Sequence, residues 1–449
     1  MHRLLVVLML FFIAGQKAFT QEIPQEYLDQ AMQDNLVLKE KKIALDKSLI
    51  ALKEARSLFL PTTWLEAQYT LAQGGRSIDF PVGDMLNPVY KTLNELTNSN
   101  SFPVIRNVSE QLLPNNFYDV RVKTTMPLIN PDIRINKEIR HQQTLLQQNE
   151  IDIYKRTLVK ELKIAYYNYL VAGNAVAIYR NAQELVDQNL RVNESLLRNG
   201  KGLPAYVSRA ESEVKQVSSQ LQSALNDQKN AKAYFNFLLN RSLTDSIVVK
   251  EPELDESRLP LLESTGNVSS REELKSLDLA RSINQSVLKM NRSFRTPKLN
   301  AFLDLASQGF DFRFNNKSFF YLGGLQLQVP IFTGKRNLYK IEQTTLDSEA
   351  LRINTAQVKQ QIELAAFVSQ NAVVTSYNNY RAAVKQQEAA RNYFKLIDRG
   401  FKEGVNSFIE FLDARNQLTT AQLQTTINKF KVFSALAEHE RQTASYSIR

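Results

Sequence analysis

The chain has 449 residues, 43% hydrophobic, with only 14 Gly and 13 Pro, which describes an ordered, helix-rich protein and excludes a disordered or fibrous one. It contains no cysteine, so disulfides, thiolate nucleophiles and Cys-based metal sites are ruled out, and its 3 His are too scattered for a confident His metal site. The formal net charge of +10 is modest for 56 basic and 46 acidic residues, and no basic block with interleaved aromatics points to nucleic acid.

Residues 1–20 read as an export signal: Arg3 gives a positive start, Leu4 to Ala14 an apolar core, and Ala18-Phe19-Thr20 small residues before Gln21. No later stretch approaches the 18 uninterrupted apolar residues of a membrane helix. A membrane-spanning part would therefore have to be made of strands.

From Gln21 the first repeat is expected to run to residue 240. A helical segment ends at Pro61, and strands follow near 64–71 and 119–127. In the first, Leu65, Ala67, Tyr69 and Leu71 share a face; in the second, Val120, Val122, Thr124 and Met126 are apolar against Arg121, Lys123 and Thr125. The polar, Gly- and Pro-containing stretch 72–117 between them reads as a long loop. After the box Met126 to Asp132 a helix is expected over 132–198, because the chain carries no proline there and one glycine, Gly173. Ile139, Leu146 and Ile153 recur at seven-residue steps, and Leu158, Leu162 and Tyr166 at four, the spacing of a packed seam. A turn at Gly200 and Gly202 leads into a helix over 204–240.

Residues 241–270, with Pro252, Pro260 and Gly266, read as a linker, and the second repeat, 271–445, goes through the same order. Asn291 to Pro297 answers Ala55 to Pro61. Strands follow near 298–305 and 320–330 around a short loop at about 307–318. The box Val329 to Lys335, about 200 residues after the first, opens a helix over 335–399. A glycine turn at Gly400 and Gly404 leads to a helix over 406–445. The recurrence of these landmarks in one order makes the chain a duplication. Pro61, Pro127, Pro297 and Pro330 are expected at strand–helix junctions.

Each strand is about as long as a tilted membrane strand, roughly 9–11 residues. A soluble half-buried sheet has the same alternation, and period alone does not separate the two. Closure is a stronger constraint. Four strands cannot close a barrel, and free edges leave backbone groups unpaired in lipid, so a membrane barrel requires several chains: two would give 8 strands, three would give 12.

Those features resemble the TolC-type outer-membrane efflux and secretion channels of Gram-negative bacteria. The most specific matches are the Pro127 and Pro330 boxes and the run Glu403 to Ala414. The resemblance implies a mainly α fold with membrane β-strands. The protomer would be one third of a trimeric channel, in which a 12-stranded β-barrel is continuous with a long periplasmic α-helical barrel and 241–270 lies around its outside. It implies a homotrimer in the outer membrane with a periplasmic adaptor (a membrane fusion protein), an inner-membrane pump and outer-membrane lipid as partners. The expected role is the exit duct of a tripartite efflux or type I secretion system, a passive conduit for drugs, small molecules or proteins.

Glu410 and Asp413, three apart on a helix, would line the narrow periplasmic entrance, three copies of each forming a carboxylate ring. Without the resemblance, acids in the first turns after a glycine break complement a helix N-terminus. Gly202, Leu203, Pro204, Gly404, Val405 and Asn406 would be the tips that meet the adaptor. Arg121 and Lys123 would face the barrel lumen and make its wall locally positive. Glu410 stands where Asp is common in the family, which keeps charge but not reach. No nucleotide, dinucleotide, nucleophile-elbow or zinc signature appears, so enzymatic activity and a bound cofactor are not expected. An exported periplasmic helical scaffold or adaptor without a pore would also carry the signal and the helices. It should show a single hairpin with lipoyl-like β segments rather than two repeats with paired strands.

Overall fold

The computed structural model describes residues 23–254 and 268–446. The expected signal segment and residues 255–267 of the expected linker lie outside the described residues. The elements in chain order are α1 (Gln25–Asp34), α2 (Leu36–Ser57), β1 (Thr62–Thr70), β2 (Ser77–Phe80), α3 (Val82–Thr97), β3 (Val108–Gln111), β4 (Phe117–Ile129) and α4 (Pro131–Arg198). They continue with α5 (Pro204–Leu238), α6 (Glu272–Arg292), β5 (Lys298–Phe310), β6 (Phe319–Gln328), α7 (Arg336–Lys402) and α8 (Phe408–Thr443).

The chain forms two compact units, and they are not the two sequence repeats. Residues 50–140 and 286–344 make one unit; the described residues of the flanking segments, 23–49, 141–254, 268–285 and 345–446, make the other. Each unit draws on both halves of the chain.

The first of these holds a four-stranded antiparallel sheet in the order β1-β4-β5-β6. Each repeat supplies one hairpin, and β4 against β5 joins them. The register sets Leu65 opposite Val122, Val122 opposite Leu305 and Leu305 opposite Tyr321, so apolar side chains form continuous rows on one face. Threonines at one end pair across β1 and β4, Thr62 with Thr125 at 3.1 Å and Thr63 with Thr124 at 3.0 Å between hydroxyls.

The junction prolines behave in two ways. Pro61 directly precedes β1, Pro297 directly precedes β5, and Pro330 lies between β6 and α7. Pro127 does not mark a junction, as expected from the sequence, but lies inside β4. The ladder with β5 shifts register between Pro127 and Ile129, an irregularity that accommodates a residue with no N–H to donate. The helix begins instead at Pro131, whose missing N–H costs nothing at the first helical position. Asn130 caps it, its side-chain oxygen accepting from the N–H groups of Asp132 at 3.1 Å and Ile133 at 3.4 Å.

The stretch 72–117 is more than a loop. It contains the β2–β3 hairpin and the helix α3. Three side chains of α3 clip the returning segment along the helix. Asn87 exchanges two hydrogen bonds with the Ile105 backbone, both 2.8 Å, and Asn94 two with Phe102, at 2.8 and 3.1 Å. Asn107 donates to Asp84 Oδ2 at 2.8 Å. These amides stand in for a strand partner, which a sequence pattern does not reveal.

Helices α4 and α7 are 68 and 67 residues long, about 100 Å each at 1.5 Å per residue, and their first residues, 131–140 and 336–344, belong to the sheet's unit. The core of the second unit is aromatic: Tyr166 and Tyr167 of α4, Phe235 of α5 and Phe430 and Phe433 of α8 are buried with Leu158, Leu162 and Leu170. Such rings bury large areas and orient their neighbours. The described part of the expected linker is pinned to this core. Tyr166 Oη donates to the Val248 and Lys250 carbonyls at 3.1 and 3.2 Å, and Val248 N–H donates to Tyr27 Oη at 2.7 Å.

From residue 268 on, the chain is anchored by ion pairs. Arg156 grips Glu272 in a fork of 2.7 and 2.8 Å, and Arg271 and Arg441 both hold Glu273 at 2.7 Å. No helix among the described residues is long and apolar enough to cross a membrane.

Candidate functional site

Two turns and one sheet carry the sequence-predicted residues. The turn after α4 and the turn after α7 close with the same hydrogen bonds. At the first, Gly200 N–H donates to Leu197 O (3.0 Å) and Lys201 N–H to Leu196 O (2.8 Å). At the second, Gly404 N–H donates to Phe401 O (3.1 Å) and Val405 N–H to Gly400 O (2.8 Å).

Both are Schellman closures with a left-handed glycine, φ +69° at Gly200 and +78° at Gly404. Three residues later each chain enters its next helix, from Leu203 and from Ser407. The duplication therefore extends to individual backbone bonds, and it aligns Gly200 with Gly404 and Gly202 with Asn406.

Gly202 and Gly400 are needed for space. A Cβ on Gly202 would come within 2.7 Å of the Leu197 backbone nitrogen. One on Gly400 would overlap the Asn406 side-chain oxygen and lie 3.0 Å from its Cγ. The two turns are packed on one apolar cluster in which Ala210, Phe408, Phe411 and Leu412 are buried against Tyr206, Phe394 and Phe401. Leu203, Val405 and Ile409 point away from it, 56%, 80% and 64% exposed. Pro204 occupies the first position of α5.

Glu410 has a local partner that the sequence pattern Ser-x-x-Glu encodes and that was not read from it. Ser407 N–H donates to Glu410 Oε2 at 2.6 Å while Glu410 N–H donates to Ser407 Oγ at 3.3 Å, a reciprocal capping box at the start of α8. The Ser407 N–H first, then the Ser407 side chain and the Asn406 amide, hold the Glu410 carboxyl below its ordinary range. Glu410 therefore complements the helix N-terminus and stays ionised. Asp413, one turn on and also exposed, accepts from Gln417 at 2.8 Å.

Beneath this pair lies a charged contact the sequence reading missed. Arg415 is 2% exposed and donates to Glu213 Oε2 at 2.8 Å, linking α8 to α5, and Arg209 meets the other Glu213 oxygen at 2.7 Å. Neither residue falls in a motif; only the topology brings positions 202 apart together.

On the sheet, Arg121 and Lys123 share the polar face as expected, but that face is not a positive wall. Arg121 Nε donates to Asp119 Oδ1 at 3.2 Å, and its Nη2 bonds the other Asp119 oxygen. The register adds Glu66 opposite Arg121 and Asp304 opposite Lys123. The acids are set by alternation on β1 and β5, strands read at first only for their apolar positions. The other face is greasy and uncovered: Leu65, Tyr321, Leu325 and Leu327 are 72%, 79%, 66% and 65% exposed. No group of acids and histidines among the described residues has the arrangement of a metal site.

Comparison with known proteins places these features. Residues 268–437 match the family model of the outer membrane efflux proteins. Among curated protein sequences none matches the chain. Among solved structures, the CmeC outer membrane channel of Campylobacter jejuni superposes with TM-score 0.72 at 13% identity, over 96% of this chain and 90% of that one. The outer membrane protein VceC of Vibrio cholerae gives 0.71 at 12%, over 93% and 95%. The open state of the Neisseria gonorrhoeae MtrE outer membrane channel gives 0.69 at 16%, over 93% and 88%. At these identities the likeness is one of fold, and it covers both units.

Proposed function

We propose that the chain is a passive exit channel in the outer membrane of a Gram-negative bacterium, a reading supported by the match of residues 268–437 to the outer membrane efflux protein model. The observation that carries this reading is the sheet. It has one continuous apolar face, an opposite polar face, and two edges, β1 and β6, with no partner strand among the described residues. A monomer cannot place such a sheet in lipid, because both edges would expose unpaired backbone groups.

Several copies pairing β1 to β6 resolve this, and the family's architecture makes the number three, closing 12 strands. The apolar face then meets lipid, and the polar face, with Arg121 and Lys123, lines the lumen. The long helices form the periplasmic duct, with the turns at Gly202–Pro204 and Gly404–Asn406 at its far end. There the exposed Leu203 and Val405 offer an adaptor an apolar foothold beside backbone fixed by the two Schellman closures. Glu410 and Asp413 supply a carboxylate ring at the entrance.

In this scheme the chain does no chemistry. Substrates, whether drugs, other small molecules or proteins, diffuse through once the entrance widens. The driving energy comes from an inner-membrane pump through a periplasmic adaptor.

Fractionation of expressing Gram-negative cells, followed by detergent extraction and mass determination of the intact particle, tests the proposal. An outer-membrane particle of three chains is expected. A soluble monomer overturns it.

A further inference from the structure

The polar face of the sheet carries three carboxylates, Glu66, Asp119 and Asp304, against Arg121 and Lys123, with no charge from β6. Lys298 shares the face at one end of β5 but is held by Asp132. The charge of Arg121 is taken up mainly by Asp119, through two bonds to its carboxylate. Its Nη1 stands 3.9 Å from Asp304 Oδ2, too far for a hydrogen bond.

Asp304 is 5% exposed, and its Oδ1 has no hydrogen-bond partner among the described residues. An oxygen buried without a donor is costly, and positive charge brought near it offsets part of that cost. Acids ranged around a pore wall are also what selects cations.

We propose that Glu66, Asp119 and Asp304 form a cation-selecting level in the barrel, with the exposed Glu66 the residue that meets the passing cation and the buried Asp304 adding to the negative field of the wall behind it. This deepens the channel reading and rests on its assignment of the polar face to the lumen. The ligand class is a monovalent cation, inorganic or the ammonium group of a cationic solute. The selecting level is separate from the ring at Glu410 and Asp413. The notion of a positive wall made by Arg121 and Lys123 is replaced by an acidic one, in which Arg121 is a counter-charge that holds Asp119.

The chain's single tryptophan reports on this level directly. Trp64 lies opposite Lys123, in the register row of Asp304, and is 57% exposed. In purified protein reconstituted into vesicles, Trp64 fluorescence should be quenched better by Cs⁺ than by I⁻. Asp304→Asn should lower the ratio of the two quenching constants about two- to threefold, the effect of one charge at several ångströms in water. Glu66→Gln, at an exposed position, should lower it too, and Lys123→Gln should raise it. Neutral acrylamide should quench all four proteins alike, which checks that the variants are folded.

The same substitutions should move the reversal potential in a KCl gradient across a planar bilayer in the same directions, including in an E410Q/D413N background where the entrance ring is neutral. Trp64 quenched by Cs⁺ and I⁻ with a ratio indifferent to Asp304→Asn and Glu66→Gln overturns the cation-selecting level and leaves the channel standing. Trp64 quenched by brominated lipid but not by aqueous ions puts the polar face against lipid, and both readings fail together.

Discussion

Removing the carboxylate of Glu213 while leaving Arg415 in place should be among the most damaging single changes at the helix turns. Arg415 is 2% exposed, its Nε lacks a partner among the described residues, and its guanidinium donates to Glu213 Oε2 at 2.8 Å. Burial pushes the Arg415 pKa down, with the Glu213 charge opposing it, so the carboxylate compensates a guanidinium taken out of water. Breaking a buried pair on one side costs about 3–5 kcal/mol, because the survivor is left uncompensated.

Glu213→Gln should therefore destabilise by that amount. Arg415→Met should cost less, because Arg209 still covers Glu213 Oε1 at 2.7 Å. The double substitution E213M/R415M should lie near wild type or up to about 1–4 kcal/mol above it, since an apolar pair avoids the desolvation penalty altogether. Guanidinium unfolding of the detergent-solubilised protein, followed by far-UV circular dichroism, gives the cycle. A loss below about 1 kcal/mol for Glu213→Gln, or additive single effects in the double variant, would refute the reasoning.

Gly400→Ala alone should be neutral or destabilising because of Asn406, but in an Asn406→Ala background it should stabilise by about 0.5–1 kcal/mol, the ordinary helix preference for alanine; an unchanged sign would show that the clash is unimportant. Gly202→Ala meets backbone rather than a side chain, so no side-chain substitution should rescue its loss of stability. Ser407→Ala should cost about 1 kcal/mol and raise the Glu410 pKa measured by NMR only in part, since the hydroxyl half of the cap is lost while the Ser407 N–H still donates to the carboxylate. Glu273 gives a pH effect. Burial pushes its pKa up, but Arg271 and Arg441 outweigh this and hold it at about 2, below its ordinary 4.5. Its contribution is therefore complete above pH 4.5 and lost as pH falls towards 2. Glu273→Gln should flatten the acid limb of a stability profile over that window, and a superimposable limb would show that the arginines do not hold it.

The elements that follow local rules were legible in the sequence. The proline-free runs gave the two long helices within a few residues of their ends, and the alternation of Val120, Val122 and Thr124 against Arg121 and Lys123 gave the two faces of β4. The glycine turns were visible because only glycine takes the left-handed backbone cheaply. Pro127 was misread because a proline beside a strand and one within an irregular ladder look alike until the partner strand is known. Helix α3 was hidden because Pro88 lies inside it and its support comes from the Asn87 and Asn94 clips to Ile105 and Phe102. The acidic level needed the register of three strands, since Glu66, Asp119 and Asp304 are divided among β1, β4 and β5. The capping box of Ser407 and Glu410 was there to be read, and the family pattern at the same residues obscured it.

Closure of the sheet between copies can be measured without interference, because the chain has no cysteine of its own. Leu65→Cys on edge strand β1 should be combined in turn with Tyr321→Cys, Gly323→Cys and Leu325→Cys on edge strand β6, all on the apolar face. A disulfide forms only when the Cα atoms come within about 7 Å, which neighbouring strands permit and distant ones do not. Oxidation of outer membranes carrying these variants should give covalent species of two and three chains in at least one combination, and none larger. Monomers throughout, or a ladder that continues past three, would contradict a barrel closed by three copies of this sheet.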